Sequence, residues 1–421
     1  MKNFMGNEGY FKKISIFYVI LMGIFQIADK LYGSAYMLYF NNSGLSVALI
    51  GLLLGIQDAV IALVDYPSGV ISDFFGRKRT TGLAMIVYGV GMISFALTYN
   101  VFILAISLVI IAVGMAMYSG SPQVWYYDEM VRLEKLDYRN KIIPKLGSII
   151  MIFSVIGALI ALLLAGFSYR LPLYFAACLL VITGIIVLLV FKDNKGTRVN
   201  NSVKDTLILF TKNFVKDKNI KNIVIQEVLS NVGFCVFLLI WQLNIVNEFK
   251  LSGRFISIIL IVLMLGMSLG YHISSSLSKK FNIITISTIG RVGTAISFLV
   301  LFIATDIYTF LIAIVIFEIC TGIDGGAKSV WHNDYIESRN RATYYSGISS
   351  IKTSIGFFTY WIVGLLIDKA GYHSGWMIAL VFQGISILTL ILFIRKNTVT
   401  KKVSNNKETF SENILMENND E

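Results

Sequence analysis

Charge is scarce in this chain: only 14% of its 421 residues are Asp, Glu, Lys or Arg, while 56% are hydrophobic. Ordinary soluble domains carry about 25% charged and about 45–50% apolar residues, so a plain globular enzyme is excluded. Proline is scarcer still, at 4 residues against 34 glycines, which excludes a collagen-like or Pro-rich disordered chain. The three cysteines, Cys178, Cys235 and Cys320, stand far apart in apolar runs. That spacing excludes a disulfide framework or zinc site, and they read as packing residues. His272, His332 and His373 form no HExxH or comparable pattern, so neither a metal nor a cofactor is expected. No GxSxG or Cys–His grouping points to enzyme chemistry either.

Long apolar runs fill the space that charge leaves. About 20 mostly apolar residues cross the ~30 Å hydrocarbon layer as a helix, and runs of that length recur along the whole chain. The expected spans are 14–39, 47–70, 80–98, 101–125, 143–167, 173–191, 223–246, 255–278, 283–304, 307–331, 344–367 and 376–394. Backbone amides in lipid must be satisfied within a segment, and these runs are too long and continuous for barrel strands. The expected fold class is therefore all-α membrane, with twelve transmembrane helices. The first run is too long for a signal-peptide core and is expected to be retained.

The net charge of +11 would suggest nucleic acid in a soluble protein, but its placement says otherwise. Of the basic residues, 28 fall in the tails and the even-numbered loops, counting Lys145 at the adjoining edge of the fifth span, and 4 in the opposite loops. Basic residues accumulate on the cytoplasmic side, so both termini are expected there, in a multi-pass protein of the cell membrane. Lipid is then the large partner and nucleic acid is not one.

A polar stretch with eight basic residues, 192–222, divides the spans into six and six. The expected organisation is an N-terminal bundle (1–191), a cytoplasmic linker (192–222), a C-terminal bundle (223–396) and a disordered tail (397–421). An internal repeat supports the division. "SGSPQVWYYD" (119–128) and "GGAKSVWHND" (325–334) share Gly, Val, Trp and Asp at an offset of 206 residues.

Between the second and third runs lies "GVISDFFGRKR", residues 69–79. Its Gly69, Asp73, Gly76, Arg77 and Lys78 resemble the signature loop of the major facilitator superfamily. The six-plus-six layout is similar to that family over the whole membrane region. The resemblance implies two pseudo-symmetric bundles around a central cavity, alternating access, and a charge relay that locks the inner gate. Glycine permits a tight turn and close helix approach, and an Arg fork can hold two carboxylates at once. Asp128, at the end of the fourth span, is the expected distal partner. "LSKKFN" repeats only the basic pair, as Lys279 and Lys280.

Ionisable residues within a bilayer cost at least ~2.5–3.5 kcal/mol each at a helix centre, so they face partners or a wet cavity. Asp29, Lys30, Asp58, Glu227, Glu318, Lys328 and Lys352 are such residues and are candidates for coupling or substrate contact. Asp29 and Glu318 lead as proton sites. Glu227, Asn231, Phe234, Leu238 and Trp241 make a stripe on one helix face that reads as a cavity wall. Asp324 and Lys328 could instead form an intrahelical pair, Arg291 could snorkel, and Trp125 and Trp331 read as interfacial anchors. Small residues in the second, fifth and eighth spans (Gly51, Gly55, Gly157, Ala161, Ala165, Gly266, Gly270) predict tight helix contacts. In the family, the second and eleventh helices, and the fifth and eighth, form the seam between bundles.

The expected function is secondary transport, with proton-coupled efflux of a small amphipathic compound by a monomer favoured because carboxylates and aromatics share the cavity-facing spans. The alternative is a proton- or cation-coupled uptake symporter for a small metabolite. A membrane-embedded enzyme or receptor is a remote third. Two departures weaken the efflux reading: family antiporters carry an Arg four residues before a Gly in the fourth span, where this chain has Ile110 and Gly114. They also carry a Gly-Pro pair in the fifth, where "GALIALLLAG" has no proline.

Overall fold

The computed structural model describes residues 2–119, 121–135, 139–190, 212, 218–335 and 341–393, with side chains described except at 2–7, 66–71, 73–75, 139–141, 144, 190, 219, 329, 333–335 and 341–346. Among the described residues it holds twelve helices long and apolar enough to cross a membrane. The first six are Glu8–Asn42, Val47–Asp65, Arg77–Leu97, Val101–Arg132, Lys145–Ala165 and Arg170–Leu189. The last six are Ile220–Asn247, Arg254–Leu277, Ile283–Ile303, Ile307–His332, Gly347–Ala370 and Tyr372–Phe393. Most of the 192–222 linker and all of the 397–421 tail lie outside the described residues.

Local chemistry sets the helix starts. Ser46 caps the second span by accepting from the Leu49 amide, and Asn100 caps the fourth by accepting from Phe102 and Ile103. Asn282 does the same for the ninth, and Asp306 accepts from the Thr309 amide at 2.9 Å for the tenth. These bonds hold the exposed Asp306 carboxyl below its usual range. The fourth span departs from expectation. It is two helices, Val101–Tyr118 and Ser121–Arg132, with Pro122 in the first turn of the second, where its missing amide costs nothing.

Call the ends of the odd spans and the starts of the even ones the distal pole, and the opposite end the terminal pole. Within each half of the chain, the third span lies on the fourth and sixth, the first on the fifth and sixth, and the tenth on the eighth and ninth. Two contacts join the halves along their length, second span on eleventh and fifth on eighth.

The second–eleventh contact is backbone against backbone. A Cβ on Gly51 would collide with the Tyr360 carbonyl, one on Gly55 would lie 2.9 Å from the Phe357 carbonyl, and one on Gly364 would lie 2.7 Å from that of Val47. The other small residues act elsewhere than at the seam. Gly157 abuts Ile27 of the first span, and Gly270 abuts Ile319 and Gly322 of the tenth. Gly157 of the fifth span and Gly270 of the eighth thus make their close contacts within their own halves.

Gly51→Ala should lower the Tm of the detergent-purified protein by several degrees, since overpacking costs about 1–3 kcal/mol. Gly147→Ala, where a Cβ meets nothing within 4 Å, should leave it unchanged or raised.

Candidate functional site

At the terminal pole the helix of the second span continues to Phe75 and ends on Gly76, whose φ of 100° is left-handed backbone that favours glycine, and whose amide donates to the Ser72 carbonyl at 3.1 Å. One residue makes the whole turn, so Arg77 opens the third span. Arg77 Nε lies 3.2 Å from Asp128 Oδ2, across to the helix Ser121–Arg132. Gly69 sits within the second span's helix, and the Asp73 side chain lies outside the described residues. Lys78 lines a narrow cleft with Phe17 and Trp125. Trp125 is no interfacial anchor: it is 7% exposed, edge-on to Phe17 at 5.4 Å. Its repeat-mate Trp331 is likewise buried, against Ile220, Ile223 and Ile348. Burial of both indoles fits a packing role better than a lipid-headgroup one.

A central cavity of about 310 Å³ lies where the halves meet, walled by the first, second, fourth, seventh, eighth and eleventh spans. Asp29, Lys30, Asp58 and Trp241 line it, with Tyr32, Tyr36, Tyr360, Gln57 and Gln242. Lys30 Nζ bonds Asp29 Oδ2 at 2.7 Å. Asp58 has no ion-pair partner within 4 Å among the described residues; its carboxylate lies against Gly356 of the eleventh span. It sits three turns below Val47, about 16 Å along the axis at 1.5 Å per residue, near mid-membrane. Tyr32 Oη, Gln57 Oε1 and Gln242 Oε1 are buried with no hydrogen-bond partner among the described residues, although the Gln242 amide donates to the Gly33 carbonyl at 2.9 Å. Glu318 is half-buried on the tenth span near Gly266 and has Lys30 as its charged neighbour.

A second pocket of about 220 Å³ lies within the C-terminal half and is lined by Glu227, Asn231, Phe234, Lys328 and Lys352 among others. Lys328 Nζ lies 3.0 Å from Glu227 Oε1, with His332 Nε2 at 4.0 Å from the same oxygen. Asp324 therefore does not pair with Lys328 one turn along. It bonds Arg291 Nε at 3.2 Å and accepts from Ser287. Arg291 does not snorkel: it is fully buried, donating also to Gln226 Oε1 and to Ser386 Oγ at 2.7 Å. A guanidinium with fixed acceptors on three helices gains more from that cage than from reaching water.

The stripe on the seventh span divides. Glu227, Asn231 and Phe234 face the second pocket, while Leu238 and Trp241 face the central cavity. Gln226, Gln57 and Gln242 carry no charge, and the apolar–polar pattern gave them no prominence; their signal was an amide placed inside a span, where it too needs a partner.

At the distal pole Asn41 and Asn247 exchange reciprocal hydrogen bonds of 3.1 and 2.9 Å. Their numbers differ by the 206 residues of the repeat, so the pair joins equivalent positions of the two halves. Asp368 accepts from the Val47 and Ala48 amides at 2.9 and 3.0 Å, and Arg254 donates to the Gly166 carbonyl at 2.9 Å. The halves are thus bonded together at this pole.

The sequence profile of the Major Facilitator Superfamily matches this chain twice, over residues 18–246 and 228–415. The chain belongs to the Major Facilitator Superfamily. It is accordingly a multi-pass integral membrane protein and a secondary transporter of small molecules, not an enzyme. It is 22% identical over 334 residues to the quinolone resistance protein NorA of Staphylococcus aureus, covering 78% of this chain and 84% of the relative. It is 26% identical over 239 residues to an uncharacterized transporter of Buchnera aphidicola, covering 56% of this chain but only 57% of that relative's length. Its fold is that of the crystal structure of the nucleoside transporter NupG, with a TM-score of 0.72 at 15% identity, covering 91% of this chain and 98% of that one. In this superfamily member the fourth-span position before Gly114 is filled by Ile110, whose side chain packs toward Gly91 of the third span.

Arg291→Met should destabilise the protein strongly, because it leaves Asp324 buried without its cation; breaking such pairs costs about 3–5 kcal/mol. A large fall in Tm, partly restored by adding Asp324→Asn, checks it. Asn41→Cys with Asn247→Cys, joined by a short bis-thiosulfonate cross-linker, should stop transport, with reductant restoring it. Undiminished flux after complete cross-linking would show that this pole need not open.

Proposed function

We propose that this transporter exports a small amphipathic compound in exchange for protons, by rocking of the two halves about the second–eleventh and fifth–eighth contacts. The observation that carries the reading is Asp58. It is a carboxylate near mid-membrane, in a cavity at the seam, with no ion-pair partner within 4 Å among the described residues. An unpaired carboxylate there is costly when charged and is relieved by a proton or by a cationic substrate. Competition of the two for one group is the exchange that antiport requires. With Asp29 and Lys30 cancelling, the cavity is left acidic, and its tyrosines and Trp241 offer faces to an apolar or cationic body.

The likeness to a protein named for quinolone resistance supports export. In this reading both termini are cytoplasmic, the distal pole faces outward in the cell membrane, and the hydrogen bonds there hold the outer side shut. Arg77 with Asp128, together with Asp73, forms the inner gate, and the protein works as a monomer. Proton-linked uptake of a small metabolite is the second reading, favoured by one feature: the fourth-span cation of family antiporters is replaced by Ile110, packed against the third span.

In energised inverted vesicles, adding a transported amphipathic cation should collapse a preformed pH gradient, and Asp58→Asn should reduce that response at least tenfold at equal membrane insertion. Accumulation by right-side-out vesicles, with no collapse in inverted ones, would establish uptake instead. An undiminished response in Asp58→Asn would remove Asp58 from the coupling.

A further inference from the structure

The central cavity's excess charge is negative, yet the second pocket's is positive. Three of its charged lining residues are held in two short pairs, Lys328 with Glu227 at 3.0 Å and Asp324 with Arg291, a fully buried residue behind the lining, at 3.2 Å. Lys352 remains. It lines the pocket and has no ion-pair partner within 4 Å among the described residues. Its backbone is fixed by Asn231, whose amide donates to the Lys352 carbonyl at 3.2 Å. The carboxylates whose charge it meets at longer range are Glu227, already held by Lys328, and Asp58, across the seam.

An ammonium left over in a pocket within the membrane needs an anion, and the pocket has room for one with a body attached. Its volume of about 220 Å³ exceeds the ~150 Å³ of an engineered cavity that holds benzene. Phe298, Phe317 and Met267 provide apolar walls, and Phe234 and Tyr271 on its lining are 38% and 41% exposed, so the pocket is open rather than sealed. The hydroxyls of Ser230 and Thr321 are donors on the same lining.

We propose that this pocket is a subsite for an organic anion, a carboxylate on an aromatic body, with Lys352 Nζ as its counter-charge. Lys328 is not the anchor, because Glu227 neutralises it. The inference rests on the transporter reading of the central cavity only in placing this subsite beside it; a compound bearing both a carboxylate and a basic group would engage Lys352 and Asp58 from one molecule. Lys352 would then decide which amphipathic compounds are carried, and Asp58 how their passage is linked to protons.

The test is direct binding to the detergent-purified full chain, with 2-naphthoate as probe and its neutral isostere 2-naphthamide as control. Calorimetry should give saturable naphthoate binding at least tenfold tighter than the amide. Lys352→Gln should abolish that preference, and Lys352→Arg should retain it within about threefold. Asp58→Asn should bind naphthoate as well as the parent or better, since it removes a competing anion. Equal affinity for acid and amide in the unaltered protein would overturn the subsite whatever the variants do. So would full naphthoate affinity in Lys352→Gln, or loss of binding in Asp58→Asn. Because these readouts involve no flux, failure of proton-linked export leaves them intact, and their failure leaves export to be judged in vesicles.

Discussion

An ion inside hydrocarbon must be paired, solvated by a cavity or neutralised, and this constraint sorts the whole interior of the protein. Arg291 with Asp324 and Lys328 with Glu227 satisfy it within the C-terminal half, and Asp29 with Lys30 satisfies it within one turn of the first span. Those pairs hold helices in place. Among the described residues Asp58, Glu318 and Lys352 have no ion-pair partner within 4 Å, and of these Asp58 and Lys352 line the cavities. The polar cost of the C-terminal half is met by a shell of Gln226, Ser287, Ser386 and Gln383 around Arg291, which ties the seventh, ninth, tenth and twelfth spans together.

The duplication shows how symmetric the scaffold is and how unequal its chemistry has become. Asn41 and Asn247 meet across the seam at equivalent positions, as residues near an internal twofold axis must. Trp125 and Trp331 are buried alike. Yet the position equivalent to Arg291 is Met85, and that equivalent to Asp324 is Tyr118. The N-terminal half fills its interior with stacked rings instead, such as Phe25 on Tyr118 at 3.8 Å. The Gly76 turn and the Arg77–Asp128 pair belong to the N-terminal half, while Lys279 and Lys280 after the eighth span are simply exposed.

Hydrophobic run length made the twelve helices legible, because crossing a bilayer leaves little freedom in length or composition. The Gly76 turn was legible because left-handed backbone favours glycine, and the Arg77–Asp128 approach through the resemblance to the superfamily's signature loop. What sequence did not disclose was direction around a helix axis. Asp324 could reach Lys328 along its own helix or Arg291 across to the next, and only packing decides between them. The same holds for Gly157 and Gly270, whose small size announced a close contact without saying with which helix. The buried indoles were misread for a related reason: a tryptophan at a span's end is interfacial only if no neighbouring helix covers it.

Asp58 and Lys352 are opposite charges on the second and eleventh spans, the two helices that touch backbone to backbone. Their attraction follows 332/(εr), so at an effective ε of 20 a separation growing from ~5 to ~10 Å changes it by about 1.7 kcal/mol. Glycine contacts such as Gly51 on Tyr360 bring these two helices together backbone to backbone. Any rocking along the seam therefore alters the environment of both leftover charges together. A proton on Asp58, or an anion on Lys352, removes the attraction and with it part of the preference for one arrangement of the halves. Under the proposed reading, a proton or a bound anion would then act on the seam directly, with no wire between distant sites.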